Sequence, residues 1–389
     1  MKNYYILSNG RVRREANTLS IENAAGEKRP IPIEDVQSLY LYGEVDLNTK
    51  LLNFLSQKKV PLHVFNYYGF YSGSYYPREY LHSGYLLVHQ VAHYSDTPKR
   101  LALAQEFVRA SAHSILRNVA YYSRRRSGSA EDKEPVGEIG AEPQNTQIPT
   151  EEATEATVDS TLNAPLLLAE EEPDPLVSAI DFDAEAEPLE QLRSTIAGIA
   201  ALIDAQTHIN ALRGVEGKAR ERYYQAWRHI LSEGWAFTQR VRRPPDNEIN
   251  ALISFGNSHL YTVCLSEIYR TQLTPTISYL HEPGARRFSL ALDISEIFKP
   301  LLVDRAIFRL INTGQLKPEH FDRSLDSCYL NDAGKKLFLS ALEERLGTTI
   351  KHRRLDRHVS YRHLIRLECY KLIRHLTGVE PYRAFRAWW

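Results

Sequence analysis

Between Ala251 and Tyr269 the only charged side chain is Glu267. A helix that apolar offers water no face, so the chain must fold around this segment whatever else it does. Asn, Asp and Glu signals precede it and Thr274-Pro275 follows it, which sets ordinary helix boundaries. Tyr279-Leu280-His281 then leads into a Glu282-Pro283-Gly284 turn, and Phe288 to Leu292 opens a new periodic segment. Within that segment Asp293 and Glu296 stand three apart, which on a helix puts both carboxylates on nearly one face.

Two acids and a nearby histidine admit two readings. In the first, Asp293 and Glu296 complement the positive end of a helix and His281 is a hydrogen-bonded turn residue. In the second they belong to a metal site, and that reading needs a third ligand from elsewhere in the chain.

With 389 residues, 43% of them hydrophobic, the chain is long enough for two cored domains. It has no apolar run of about 18 residues and no charged, apolar leader, so we expect neither a membrane span nor a secretion signal. Cys264, Cys328 and Cys369 are scattered and odd in number. That argues against a disulfide scaffold or a zinc knuckle and fits a reducing cytoplasm.

The formal net charge of zero hides a segregation. Acids crowd residues 127–190, where Lys133 is the only base. The remainder carries an excess of about 17 positive charges, and a surplus of that size on a globular protein points to a polyanionic partner, most commonly nucleic acid.

Residues 1–88 read as a β-rich domain. Tyr4 to Leu7, Thr18 to Ile21, Val36 to Tyr42 and Pro61 to Phe65 are short strand-like runs bounded by turn residues, with one helix over Leu47 to Gln57. The tyrosines from Tyr67 to Tyr85 suit strands and turns, with base stacking as the alternative. Near Val88 the period becomes helical, and Pro98 to Tyr122 is a long amphipathic helix ending in Arg124-Arg125-Arg126. Residues 127–187 are rich in Glu, Ala, Thr and Pro, the composition of a disordered acidic insert. Helical periodicity resumes over Leu189 to Ile209 and reaches Gly214-Val215-Glu216-Gly217. The two glycines lead us to expect Glu216 at a helix start, its carboxylate facing a cavity.

Taken in order, the Gly-Val-Glu-Gly element, the Asn250-Ala-Leu-Ile-Ser-Phe-Gly block, the Tyr-Leu-His turn, Ser289 to Pro300 with Val303-Asp304-Arg305, and the ending Pro381 to Trp389 closely resemble the CRISPR-associated adaptation integrase family. The resemblance spans nearly the whole chain outside the acidic insert. It implies an α+β fold, with an N-terminal β-rich domain (1–88) and a larger helical catalytic domain (89–389) that the insert interrupts. It implies that Glu216, His281 and Glu296 bind Mg²⁺ or Mn²⁺ and carry catalysis, with Asp293 as an auxiliary acid. At position 296 some relatives have Asp, so the glutamate here reaches further. The implied reaction joins the 3′-hydroxyl ends of short captured DNA to a CRISPR repeat by transesterification. The implied partners are double-stranded DNA, a second copy of the chain in a homodimer, and a small ferredoxin-like adaptation subunit.

Lys351 to Arg374 adds a basic, partly apolar segment, read as a helix whose Arg353, Arg354, Arg357, Arg362 and Arg366 are candidates for DNA phosphates. Two other functions fit parts of this pattern. A stand-alone structure-selective nuclease acting on branched DNA in repair would use the same metal ligands. A non-enzymatic DNA-binding scaffold would need only the basic surface.

Overall fold

The computed structural model describes residues 2–78, 81, 83–126, 188–235, 237, 239–242, 244–284, 288–352 and 354–388. The acidic segment 127–187 and Arg353 lie outside the described residues.

The N-terminal part consists of β1 (Lys2–Ile6), β2 (Gly10–Glu15), β3 (Thr18–Asn23), β4 (Lys28–Pro32), β5 (Val36–Leu41), β6 (Val45–Asp46), α1 (Thr49–Lys58), β7 (Leu62–Phe65) and β8 (Tyr71–Tyr75). Helices then dominate: α2 (Gly84–Ser95), α3 (Thr97–Arg126), α4 (Leu189–Ala201), α5 (Ile209–Ile230), α6 (Glu248–Tyr269) and α7 (Ser289–Lys299). A π-helical turn (Pro300–Asp304) joins α7 to α8 (Arg305–Asn312). The hairpin β9 (Phe321–Ser324)–β10 (Ser327–Leu330), α9 (Asp332–Gly347), the hairpin β11 (Thr349–His352)–β12 (Arg357–Ser360) and α10 (Tyr361–Leu376) follow. The fold is therefore α+β, a β-rich N-terminal part followed by a mostly helical one.

One sheet has the order β1-β5-β7-β8 and a second the order β4-β3-β2-β6. Strand alternation gives the first sheet two apolar faces. Ile6, Leu39, Leu41 and Leu62 point into a small core with Val12, Leu19 and the α1 residues Leu51, Phe54 and Leu55. Tyr40, Tyr42 and Phe65, one residue out of phase, join the larger core around α6. Asn48 caps α1 by accepting the Leu51 N–H at 2.9 Å, which offsets an orphan donor at its first turn.

Helix α6 is buried along its whole length except at Asn257. The first sheet covers one side, and α7, α10, β10 and the π-helical turn cover the others. Close packing makes Gly256 a contact point. A Cβ there would stand 2.5 Å from Val303 Cγ1 and 3.0 Å from Phe338 Cζ, both fully buried. Gly256→Ala is expected to lower the unfolding free energy by about 1–3 kcal/mol, the usual cost of overpacking. Urea unfolding with an unchanged midpoint would refute that rigidity.

Three local expectations change. Glu216 is not at a helix start, because α5 runs straight through Gly214 and Gly217. Each glycine costs up to about 1 kcal/mol in a helix. Burial of Leu212, Val215, Ala219 and Tyr223 on the same helix outweighs it. The run from Leu189 to Ile209 is not one helix, since a 3₁₀ turn at Ile203–Ala205 breaks it and lets α5 pack back on α4. The basic segment from Lys351 is not helical at its start, because β11 and β12 pair there with Lys351 opposite His358. Ser360 Oγ then caps α10 by accepting the His363 N–H at 3.2 Å.

Candidate metal centre

Glu216 and Arg220 lie one turn apart on α5, and Arg220 Nε donates to Glu216 Oε1 at 2.8 Å. From α7, Glu296 Oε2 accepts from Arg220 Nη2 at 2.5 Å. Lys299, three residues on, donates to the other Glu296 oxygen. Two carboxylates from separate helices thus converge on one guanidinium. Burial alone would raise the Glu296 pKa, but Lys299 first, then Arg220 and His281, hold it well below the ordinary carboxylate range. Glu296 is therefore ionised at neutral pH although only 5% exposed.

Asp293 organises the neighbouring turn. Its Oδ2 accepts the N–H groups of Tyr279 (2.6 Å) and Leu280 (3.0 Å), and its Oδ1 accepts the His281 N–H at 3.0 Å. His281 Nδ1 lies 2.8 Å from the same Oδ1. A fully buried carboxylate with these donors fixes the imidazole orientation and favours the tautomer protonated on Nδ1. From α3, Arg100 braces the turn through Tyr279 O (2.9 Å) and Glu282 Oε1 (2.7 Å).

Behind the acids lies a buried polar hub. Asn118 Nδ2 donates to Pro300 O at 2.8 Å and to Tyr223 Oη at 2.9 Å, while its Oδ1 accepts from Arg305 Nε at 2.7 Å. The π-helical turn brings Asp304 beside it, with Oδ2 buried and unpaired. Burial pushes the Asp304 carboxyl up to about 7 against the pull of Arg220.

The candidate ligands are therefore not equally placed. Glu216 and Glu296 meet across Arg220, and His281 is near enough to act on Glu296 electrostatically. Asp293 is committed to the turn. Among the described residues no three His, Cys, Asp or Glu side chains close up into a ready metal cage, since a guanidinium fills the space between the two glutamates. Even so, the donor set suits a hard or borderline divalent ion: two ionisable carboxylates that already converge on one cation, with an oriented imidazole alongside. Arg220 and Lys299 are ion-pair partners of the candidate acids that the sequence motifs do not mark. Their spacing, i+4 from Glu216 and i+3 from Glu296, puts them on the faces of those acids once α5 is continued through its glycines.

Of the candidate phosphate ligands, Arg357 is exposed on β12. Arg354 is also exposed and pairs with Glu380 at 2.7 Å. Arg362 and Arg366 join the helical part to the sheet instead. Arg362 donates to Glu343 (2.5 Å) and to Gln37 (3.3 Å), and Arg366 donates to Glu267 (2.7 Å). Gln37 in turn donates to Glu267 at 3.0 Å. A separate cationic group lies at the end of α3, where burial, then Arg124 and Arg305, lower the pKa of Arg117.

The family model described as CRISPR associated protein Cas1 matches residues 4–156 and 177–344. A CRISPR-associated endonuclease Cas1 of Thermodesulfovibrio yellowstonii is 44% identical over 389 residues, covering all of both chains. Another from Moorella thermoacetica is also 44% identical over 389 residues, again covering both completely. Among solved structures, a Cas1 protein from Thermotoga maritima aligns with a TM-score of 0.74 and 35% identity, over 99% of this chain and 100% of that one.

Proposed function

Because the chain belongs to the CRISPR-associated Cas1 family, whose named relatives include endonucleases, we propose that it is a divalent-metal-dependent DNA endonuclease and integrase of CRISPR adaptation. It joins the 3′-hydroxyl ends of short captured DNA to a CRISPR repeat by transesterification. One observation carries this reading: α5 and α7 aim Glu216 and Glu296 at a single cation, with His281 set beside them by Asp293.

Glu216, Glu296 and the His281 imidazole would hold Mg²⁺ or Mn²⁺, and the imidazole tilts the preference towards Mn²⁺. When bound, the ion polarises a phosphodiester and eases deprotonation of an attacking hydroxyl. The chain's own residues supply the rest. Lys299 and Arg220 keep Glu296 ionised without any metal, so the ligand needs no deprotonation before use. Asp293 holds the imidazole ring and its tautomer, which spares reorganisation during the reaction. Arg220 and Lys299 offer positive charge to a phosphodiester as its negative charge grows.

In this reading the partners are double-stranded DNA, both as captured fragments and as the repeat, a second copy of the chain in a homodimer, and a small ferredoxin-like adaptation subunit. The β-rich residues 1–88 serve as one domain and residues 89–389 as the catalytic one. No described helix is long and apolar enough to cross a membrane.

The test is strand transfer. A labelled duplex with free 3′-hydroxyls and a supercoiled plasmid carrying the repeat are incubated with the protein and the small subunit, with Mn²⁺ or with EDTA. Label is expected to join the plasmid with Mn²⁺ alone. Metal-dependent nicking without joining would move the assignment to a structure-selective nuclease on branched DNA. Binding without either reaction would leave a scaffold.

A further inference from the structure

The two glutamates of the candidate centre are already offset by cations. Glu216 and Glu296 carry the negative charges, and Arg220 and Lys299 carry matching positive ones. This is not a surface ion pair, because the Arg220 and Lys299 side chains are each 13% exposed and that of Glu296 is 6% exposed. Buried charges of this kind are tolerable only while paired, and removing one partner strands the other. Arg220 uses its planar fork to satisfy both acids, with Ser111 Oγ accepting a further bond at 3.3 Å. A guanidinium suits that bridge better than an ammonium would.

Resting on the assignment of Glu216 and Glu296 as metal ligands, we infer that Arg220 is an exchangeable counter-ion. It holds the two carboxylates together before the metal arrives, leaves them when the metal binds, and then serves as a phosphate-positioning residue for the DNA strand.

Two arguments support the exchange. First, Arg220 occupies the space onto which Glu216 Oε1 and Glu296 Oε2 converge, so an ion held between the two carboxylates takes its place. Second, once the metal is in, its two positive charges join a centre where Arg220 and Lys299 already offset the two glutamates, and the Asp293 carboxylate offsets only one of them. A buried excess of that size is stable only against an anion, and a DNA phosphodiester supplies one. Arg220 sits one helical turn from Glu216, so a side-chain rotation alone keeps it beside the reacting group.

The inference separates into observations that do not all rest on activity. Mn²⁺ binding is followed by the electron paramagnetic resonance of the free ion, and the thermal midpoint is read with and without Mn²⁺. Arg220→Gln removes the competing charge while keeping hydrogen bonds. It is expected to bind Mn²⁺ about tenfold more tightly than wild type, to melt earlier without metal, and to recover most of that loss when Mn²⁺ is present. Its strand transfer is expected to fall, with a larger KM for DNA. Arg220→Lys, which keeps the charge without the fork, is the second variant should Gln not fold, and its Mn²⁺ affinity is expected between the two. Unchanged or weaker Mn²⁺ binding by Arg220→Gln, while Glu216→Gln abolishes binding, overturns the exchange and leaves the metal site standing. Full Mn²⁺ binding by Glu216→Gln overturns the metal assignment itself.

Discussion

Glu216→Ala and His281→Ala are each expected to lower strand transfer by about a thousandfold, roughly 4 kcal/mol of transition-state stabilisation, while duplex DNA binds as in wild type. The effect is large because each substitution removes a donor that nothing nearby replaces. Asp293 is consumed by three backbone N–H groups and the imidazole, and Asp304 lies behind Arg220 with a carboxyl at about 7. Binding survives because phosphate contacts are spread over many cations, of which this centre contributes few. Asp293→Asn should be milder, about 10–100-fold, since it disturbs the orientation of His281 without deleting a ligand. The check is a rate for label joining plasmid beside a binding isotherm at fixed salt, with thermal midpoints to confirm folding. Wild-type rates in either Ala variant would remove that residue from the centre, and parallel loss of DNA binding would point to collapse of the fold.

Acid is expected to loosen the seam between the first sheet and α6. His63 and His259 are both fully buried there. His259 lies between Tyr42 Oη (3.0 Å) and Tyr5 Oη (3.3 Å), and His63 between Ser74 Oγ and Ser266 Oγ, each at 2.7 Å. Burial first, then His259 and Arg270, pulls His63 down to about 3. Burial also pulls His259 down to about 4, against Glu343 and together with Arg362. The unfolded chain takes up protons near pH 6.5, while the folded chain refuses them until far lower. Stability contributed by these groups is therefore complete above pH 6.5 and lost progressively as pH falls towards 4 and 3. Between pH 7 and 5 the two together cost about 4 kcal/mol. Asp304 works the other way over the same range, because its raised carboxyl binds a proton in the folded state first, and it returns about 2 kcal/mol. Urea unfolding of His259→Gln and His63→Gln isolates the histidines. Each variant should lose about 2 kcal/mol of the wild-type pH dependence between pH 7 and 5. Slopes that match wild type would show that the imidazoles charge without resistance in the folded state.

Much of the architecture was legible in the residues. The apolar block from Ala251 predicts a helix buried on every side, and α6 is one because a helix lacking a polar stripe has no other stable place. Period-two runs at Val36 and Pro61 predict strands β5 and β7. Their alternation also separates the leucines facing α1 from the tyrosines facing α6. The Asp293–Glu296 spacing places both acids on α7. Where local signals misled, packing was stronger. Glycine propensity argues for a break at Gly214 and Gly217, but the buried face of α5 carries the helix across them. The basic run from Lys351 looks helical, yet its first residues pair as a hairpin.

The sequence by itself therefore determined the fold class and the central helix, and motif order singled out Glu216, His281, Asp293 and Glu296 as candidates, because periodicity and motif order are written in one dimension. Only the tertiary structure decided that Asp293 serves the turn while Glu296 meets Glu216, that Arg220 bridges them, and that Arg362 and Arg366 engage the seam rather than a free surface. Those outcomes depend on which side chains share a low-dielectric space, and α5 and α7, separated by 58 residues of chain, are brought together only by packing on the same core.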